Sequence, residues 1–169
     1  MITTFDGTTP TVEDGAWIAD NATVLGDAEI GAGSGVWFGA VVRADTESIR
    51  IGRDTNIQDN CVLHADPGAP LTIGDRVSIG HVAVLHGCTV ESDVLIGMGA
   101  VLMNHARIGS GSLVAAGAVV VEGTLVPPGS LVAGVPGKVR RELTDDELEH
   151  VRTNARQYAD LTRRHLESP

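Results

Sequence analysis

Aliphatic residues recur in this chain every six positions for most of its length, a beat that few folds can use. Val12, Ile18, Val24, Ile30, Val36 and Val42 open the series. Ile51, Ile57 and Leu63 continue it, followed by Ile73, Ile79 and Leu85, and then by Val90, Ile96, Leu102, Ile108, Val114, Val120, Val126 and Val132. A fixed short period belongs to stacked architectures, in which each unit buries its apolar face only against its neighbours. Six residues make one short strand and a bend, with the aliphatic side chain inward and the next one outward. Glycine follows the aliphatic residue at Gly31, Gly52, Gly74, Gly97 and Gly109, as tight bends with close backbone approach require. A sandwich of ordinary short strands is the competing fold, and twenty in-phase positions weigh against it.

The beat resembles the hexapeptide-repeat family over roughly residues 10 to 135. That resemblance implies an all-β solenoid, a left-handed parallel β-helix of triangular cross-section with three hexads per coil. Twenty hexads then make between six and seven coils. Composition agrees: 21 Gly and 3% aromatic residues suit a narrow prism filled by Val, Ile and Leu. The beat ends near Val132, in the turn-rich stretch VPPGSLVAGVPGK. Thr144 with Asp145, Asp146 and Glu147 then reads as an N-cap, a capping box and an acidic first turn. Leu148, Val151, Ala155, Tyr158 and Thr162 follow at helical spacing, with Arg163, Arg164 and His165 near the far end. Residues 1–140 are therefore expected to form the β-helix domain. Residues 141–169 are expected to form a C-terminal helix packed on the prism or on a neighbouring subunit.

A net charge of −10 argues against nucleic acid, which needs a basic footprint. The opening MITTFDGTTP has no basic segment and no apolar run, and nothing in the chain approaches membrane-spanning length. These features predict a cytoplasmic protein whose partners include neither nucleic acid nor membrane. Cys61 and Cys88 sit where small residues suit a coil, so reduced structural thiols are expected.

The beat slips three times. Val42 to Ile51 is nine residues, Leu63 to Ile73 is ten, and Leu85 to Val90 is five. Solenoids accommodate such changes as corner loops, where function gathers. Three of the six histidines lie in this segment. Arg43, His64 and His86 each follow the inward residue of the sixth, ninth and twelfth hexads, so they stack outward on one face, about 4.8 Å apart. Gln58 follows the inward residue of the eighth hexad, and Asp59 and His81 form a second column one face earlier. His64 and His86 can point at one metal ion, but His81 cannot easily join them within one chain. A cyclic trimer, in which the His81 face of one subunit meets the His64/His86 face of the next, solves this. Three histidines with an open position form the ligand set of a catalytic zinc-type site.

VVRAD at Val41–Asp45, NIQDN at Asn56–Asn60, LHAD, IGHVAVLHGC and IGMGA are similar to the γ-class carbonic anhydrase family. The five-residue step from His81 to His86 and the six-residue step from Gln58 to His64 fit its motif. The resemblance implies His64, His81 and His86 as metal ligands, with His81 donated across the interface of a homotrimer. It implies Arg43 and Asp45 beside the site, Gln58 near a metal-bound water, and Asp59 paired with an arginine between subunits. Tyr158 corresponds to an active-site tyrosine. The implied reaction is reversible hydration of CO2 to bicarbonate by metal-bound hydroxide. The metal lowers the pKa of bound water to about 7, a figure that is itself that of carbonic anhydrase zinc. Zn2+ is the expected metal, and three imidazoles also accept Fe2+ or Co2+.

Two departures from the best-studied branch stand out. Thr46 occupies a position where that branch has glutamate, and the insertion after His64 is only ADPGAP, leaving Asp66 and Glu47 as the nearest acids. Rival functions use the same fold. One is acyl transfer, or thioester hydrolysis, on acyl-coenzyme A, with His105 as the candidate base and an ending like SLVAGVPGK as its resemblance. The other is a non-catalytic trimeric assembly subunit that keeps a relic metal site.

Overall fold

The structure is a computed structural model and describes residues 1–168. Twenty strands, most of two or three residues, wind into a parallel β-solenoid of about seven turns, followed by one helix. Strand pairing sorts the hexads into three columns. Val24, Val42, Leu63, Leu85, Leu102 and Val120 stack in register on one face. A second column runs from Val12 to Val126 and a third from Ile18 to Val132. Every beat residue from Val24 onward is buried, whereas Val12 and Ile18, on the outermost coil, are only partly covered. Each buried Leu or Ile contributes about 1.5–3 kcal/mol of transfer free energy, and the columns supply a continuous core without large aromatic residues.

The glycines after the beat residues serve close approach. None of the five has a positive φ. A Cβ on Gly52 would lie 2.6 Å from the Gly74 carbonyl of the next coil, nearer than atoms can pack.

The register slips are corner loops. Strands Thr23–Ile30 and Val41–Ile51 run through one corner, fusing two faces into a 12-stranded sheet while the third remains an 8-stranded one. The insertion after Val42 bulges at this corner, between Arg43 and Ile49. The insertion after Leu63 folds back through a bridge between Asp66 and Ala69. The shortened step after Leu85 turns at Gly87, with φ +53°.

The helix Asp145–Glu167 lies on the 8-stranded face of its own chain, against the strands Trp17–Ile18, Gly35–Val36, Asn56–Ile57 and Ser78–Ile79. Its capping box forms as expected, with Thr144 accepting from the Glu147 amide and Glu147 reaching back to the Thr144 amide. Val151, Ala155 and Thr162 are buried beneath it. Before the helix, Lys138–Glu142 pairs antiparallel with Ser130–Ala133 and covers the C-terminal edge of the 8-stranded sheet, which would otherwise be open to pairing.

Candidate metal centre

Arg43 pairs directly with His64, and His64 with His86, on three successive coils. The column read from the hexad count is therefore present. His64 Nδ1 and His86 Nε2 lie 2.9 Å apart. The two outer nitrogens have fixed partners. His64 Nε2 is 3.0 Å from Asp45 Oδ1, and His86 Nδ1 is 2.7 Å from Asn104 Oδ1. The Asn104 amide is itself oriented, because its Nδ2 donates to Asp66 Oδ2 at 2.9 Å. Both outer nitrogens thus face acceptors and carry the protons, which leaves the inner pair as two lone pairs facing one another. Such a pair calls for a cation between them. Ligand nitrogens about 2.1 Å from a tetrahedral metal sit roughly 3.4 Å apart, half an ångström from the spacing found. The donor set fits a divalent metal such as Zn2+.

Asp45 is held in turn. Burial pushes its carboxyl up, but hydrogen bonds from Arg43, at 2.6 Å, and from His64 outweigh this and keep it below the usual carboxylate range. It is therefore a charged acceptor for the outer nitrogen of the His64 ring, the kind of partner that orients a histidine toward a metal. Thr46 donates to the Ala65 carbonyl and lies 3.4 Å from His64 Nε2. Glu47 accepts from the amides of Ser48 and Gly68, which together hold its carboxyl low. It staples two corner loops together. Asp66 Oδ1 is 3.9 Å from His86 Nε2, and ligand atoms of His64, Asp66 and His86 all lie within 4.8 Å of one another.

His81 is not part of that cluster. It belongs to the second column, where coil-to-coil backbone bonds stack Phe38, Asp59, His81 and Met98 in line at a corner. Its Nδ1 is 2.7 Å from Asp59 Oδ2, which fixes the proton there and leaves Nε2 free to ligate. Within the chain, then, Asp59 has His81 as its partner. Tyr158 Oη is 3.5 Å from His81 Nε2, and burial followed by the Asp59 charge raises its pKa. Gln58, almost fully buried, accepts from the His81 amide at 3.2 Å and donates to Asn56 Oδ1 at 3.0 Å. Gln58, His81, Met98, Asn154 and Tyr158 line one cavity of about 350 Å³ between helix and prism.

Asn104 is the site residue that sequence reasoning missed. It occupies the position above Gly87 in the next coil, and a Cβ at Gly87 would collide with its amide oxygen. A glycine below a polar residue in a column beside a histidine was the available signal. His105 is exposed at a corner with φ +61°. Cys61 and Cys88 are free and buried, and burial pushes their thiols up to about 11 and about 12. Cys61 Sγ donates to the Gly80 carbonyl at 3.1 Å, and both side chains belong to the apolar core.

Comparison with known proteins gives the family of the chain. Residues 9–44 and 87–122 match the family model described as bacterial transferase hexapeptide (six repeats). A carbonic anhydrase from Geobacillus kaustophilus is 46% identical over 160 residues, spanning 95% of this chain and 88% of that protein. The mitochondrial gamma carbonic anhydrase 2 of Arabidopsis thaliana is 40% identical over 92% of this chain, which spans only 58% of that longer relative. The crystal structure of a hexapeptide transferase family protein from Anaplasma phagocytophilum superimposes with a TM-score of 0.93 at 38% identity, covering 96% of both chains. By its repeat, its fold and its extent of identity, the chain belongs to the γ-class carbonic anhydrase family of hexapeptide-repeat proteins.

Proposed function

We propose that the chain assembles as a homotrimer with one divalent metal at each subunit junction, and that this centre hydrates CO2 reversibly to bicarbonate. His64 and His86 of one subunit and His81 of the next hold the metal, with Zn2+ the first choice and Fe2+ or Co2+ compatible. The observation that carries the proposal is the pair of facing lone pairs on His64 and His86. His81 stands one face away with its own nitrogen freed by Asp59. Phe38, Val82 and Met98 are exposed at the His81 corner, an apolar flank that suits contact with a neighbour.

A metal held by three imidazoles supplies a hydroxide nucleophile at neutral pH. The chain's own residues do the rest. Asp45, charged and tied to Arg43, holds the His64 ring. Gln58 fixes the His81 backbone and retains one amide N–H to orient a substrate oxygen, and Tyr158 closes the same cavity beside His81. Arg43 and Asp59 are the charged pair available for the junction.

Mass, metal content and CO2 hydration of the purified protein test this together. The expected result is a trimer with one metal per chain that hydrates CO2 and loses both metal and activity on His64→Ala. A metal-loaded trimer without hydration would favour the assembly-subunit reading. The likeness to a hexapeptide transferase structure supports the second enzyme reading, acyl transfer, which turnover of acyl-coenzyme A would reveal. Among the described residues no helix is long and apolar enough to cross a membrane. A cytoplasmic location is part of the proposal and is checked by fractionation.

A further inference from the structure

Asp66 stands out among the groups that the shared three-histidine centre does not use. One oxygen, Oδ2, accepts from Asn104 and so orients the amide that fixes the His86 tautomer. The other, Oδ1, points back toward His86 Nε2 at 3.9 Å, with ligand atoms of His64, Asp66 and His86 within 4.8 Å of one another. Two neutral imidazoles and one carboxylate, all from a single chain, form a recognised ligand set for Zn2+ and for Fe2+. The set is reachable from solvent: the Asp66 side chain is 51% exposed and that of His86 is 32% exposed.

We propose that Asp66 is a metal ligand of the single subunit. Each chain captures a divalent cation through His64, His86 and Asp66, and His81 of the neighbouring subunit displaces Asp66 when the trimer closes. This rests on the shared-site reading above and adds a loading step to it. Displacement is required by coordination number. Three histidines plus Asp66 would fill a tetrahedral zinc and close the position that chemistry needs. The short ADPGAP corner loop, held by the Asp66–Ala69 bridge, carries Asp66 to the metal side of His86. Its length follows from geometry if it serves to deliver one carboxylate.

Co2+ titration tests the assignment by stoichiometry, affinity and visible absorption, without any activity measurement. His81→Ala is expected to bind one Co2+ per chain, more weakly than the unaltered protein and with an altered absorption spectrum. Adding Asp66→Asn preserves an acceptor for Asn104 but removes the anionic ligand. It is expected to weaken binding by a further factor of about ten or more, at least the low end of what outer partners contribute. Equal Co2+ affinity in His81→Ala and in the double variant would overturn the assignment. Should His81→Ala fail to assemble, His81→Gln provides the same comparison. If the unaltered protein binds Co2+ no more tightly than His64→Ala does, the shared metal site itself fails, a result distinguishable from the loss of the Asp66 step alone.

Discussion

His64 Nδ1 and His86 Nε2 face each other at 2.9 Å on neighbouring coils, each with its outer nitrogen committed to an acceptor. The strand register puts the rings in one column, and Asp45 and Asn104 decide which nitrogen of each ring is free.

If those acceptors set the tautomers, removing either should weaken metal binding while leaving the fold intact. Asp45→Asn and Asn104→Ala are each expected to lower metal affinity by about 10–100-fold, measured by competition with a chelator, with trimer mass unchanged. Unaltered affinity in both variants would mean that the ring orientations come from packing alone.

The proton released by hydration has no evident internal route through Glu47. Its carboxylate is occupied by the Ser48 and Gly68 amides, which keep it ionised and a poor proton acceptor. CO2 hydration at saturating substrate is therefore expected to rise with the concentration of an imidazole-type buffer. CO2/bicarbonate exchange at equilibrium should not respond, and Glu47→Gln should leave the buffer-independent rate unchanged. A large loss in Glu47→Gln with metal retained would restore Glu47 as a proton carrier.

Leu85 is fully buried between Leu63 and Leu102 in the column that carries the site. Leu85→Ala is expected to cost about 2–5 kcal/mol in denaturant unfolding. It should also lower metal affinity, because His86 is the next residue. A stability loss below 1 kcal/mol, about one methylene, would show that the coils repack independently.

The helix start is acid-sensitive. The Arg141 guanidinium, and then the Thr144 amide, hold the Glu147 carboxyl down at about 2 against an ordinary 4.5. The folded state thus favours the charged form. Its contribution is complete above about pH 4.5 and is lost as pH falls toward about 2. Protection of the amides in the first helical turn, corrected for intrinsic exchange, should fall as pH drops across that window, and Glu147→Ala should show low protection at every pH. Protection factors independent of pH in the unaltered protein would contradict the Arg141–Glu147 contact.

The solenoid was legible because its core repeats. Each inward Val, Ile or Leu makes the same contact with the coil above and below, so counting by six recovers the three columns and places Arg43, His64 and His86 on one face. The helix was legible from Thr144, Glu147 and its apolar spacing. What resisted reading were the corner loops, where no period operates. Asn104 reaches His86 only because Gly87 leaves room. Asp66 and Glu47 look alike in sequence, yet one reaches the histidines and the other ties two loops together. His81 was separable from His64 and His86 by face, and in the proposed trimer the ring that completes the site comes from another chain.

Co-expression of His64→Ala and His81→Ala chains tests the shared centre most directly. A junction regains all three histidines only where a chain with intact His81 meets one with intact His64, about a quarter of junctions in randomly mixed cyclic trimers. At a free Zn2+ concentration that leaves each parent trimer empty, the account predicts metal in about that fraction of sites, with CO2 hydration in proportion. Mixed trimers of native mass that hold no metal would contradict it.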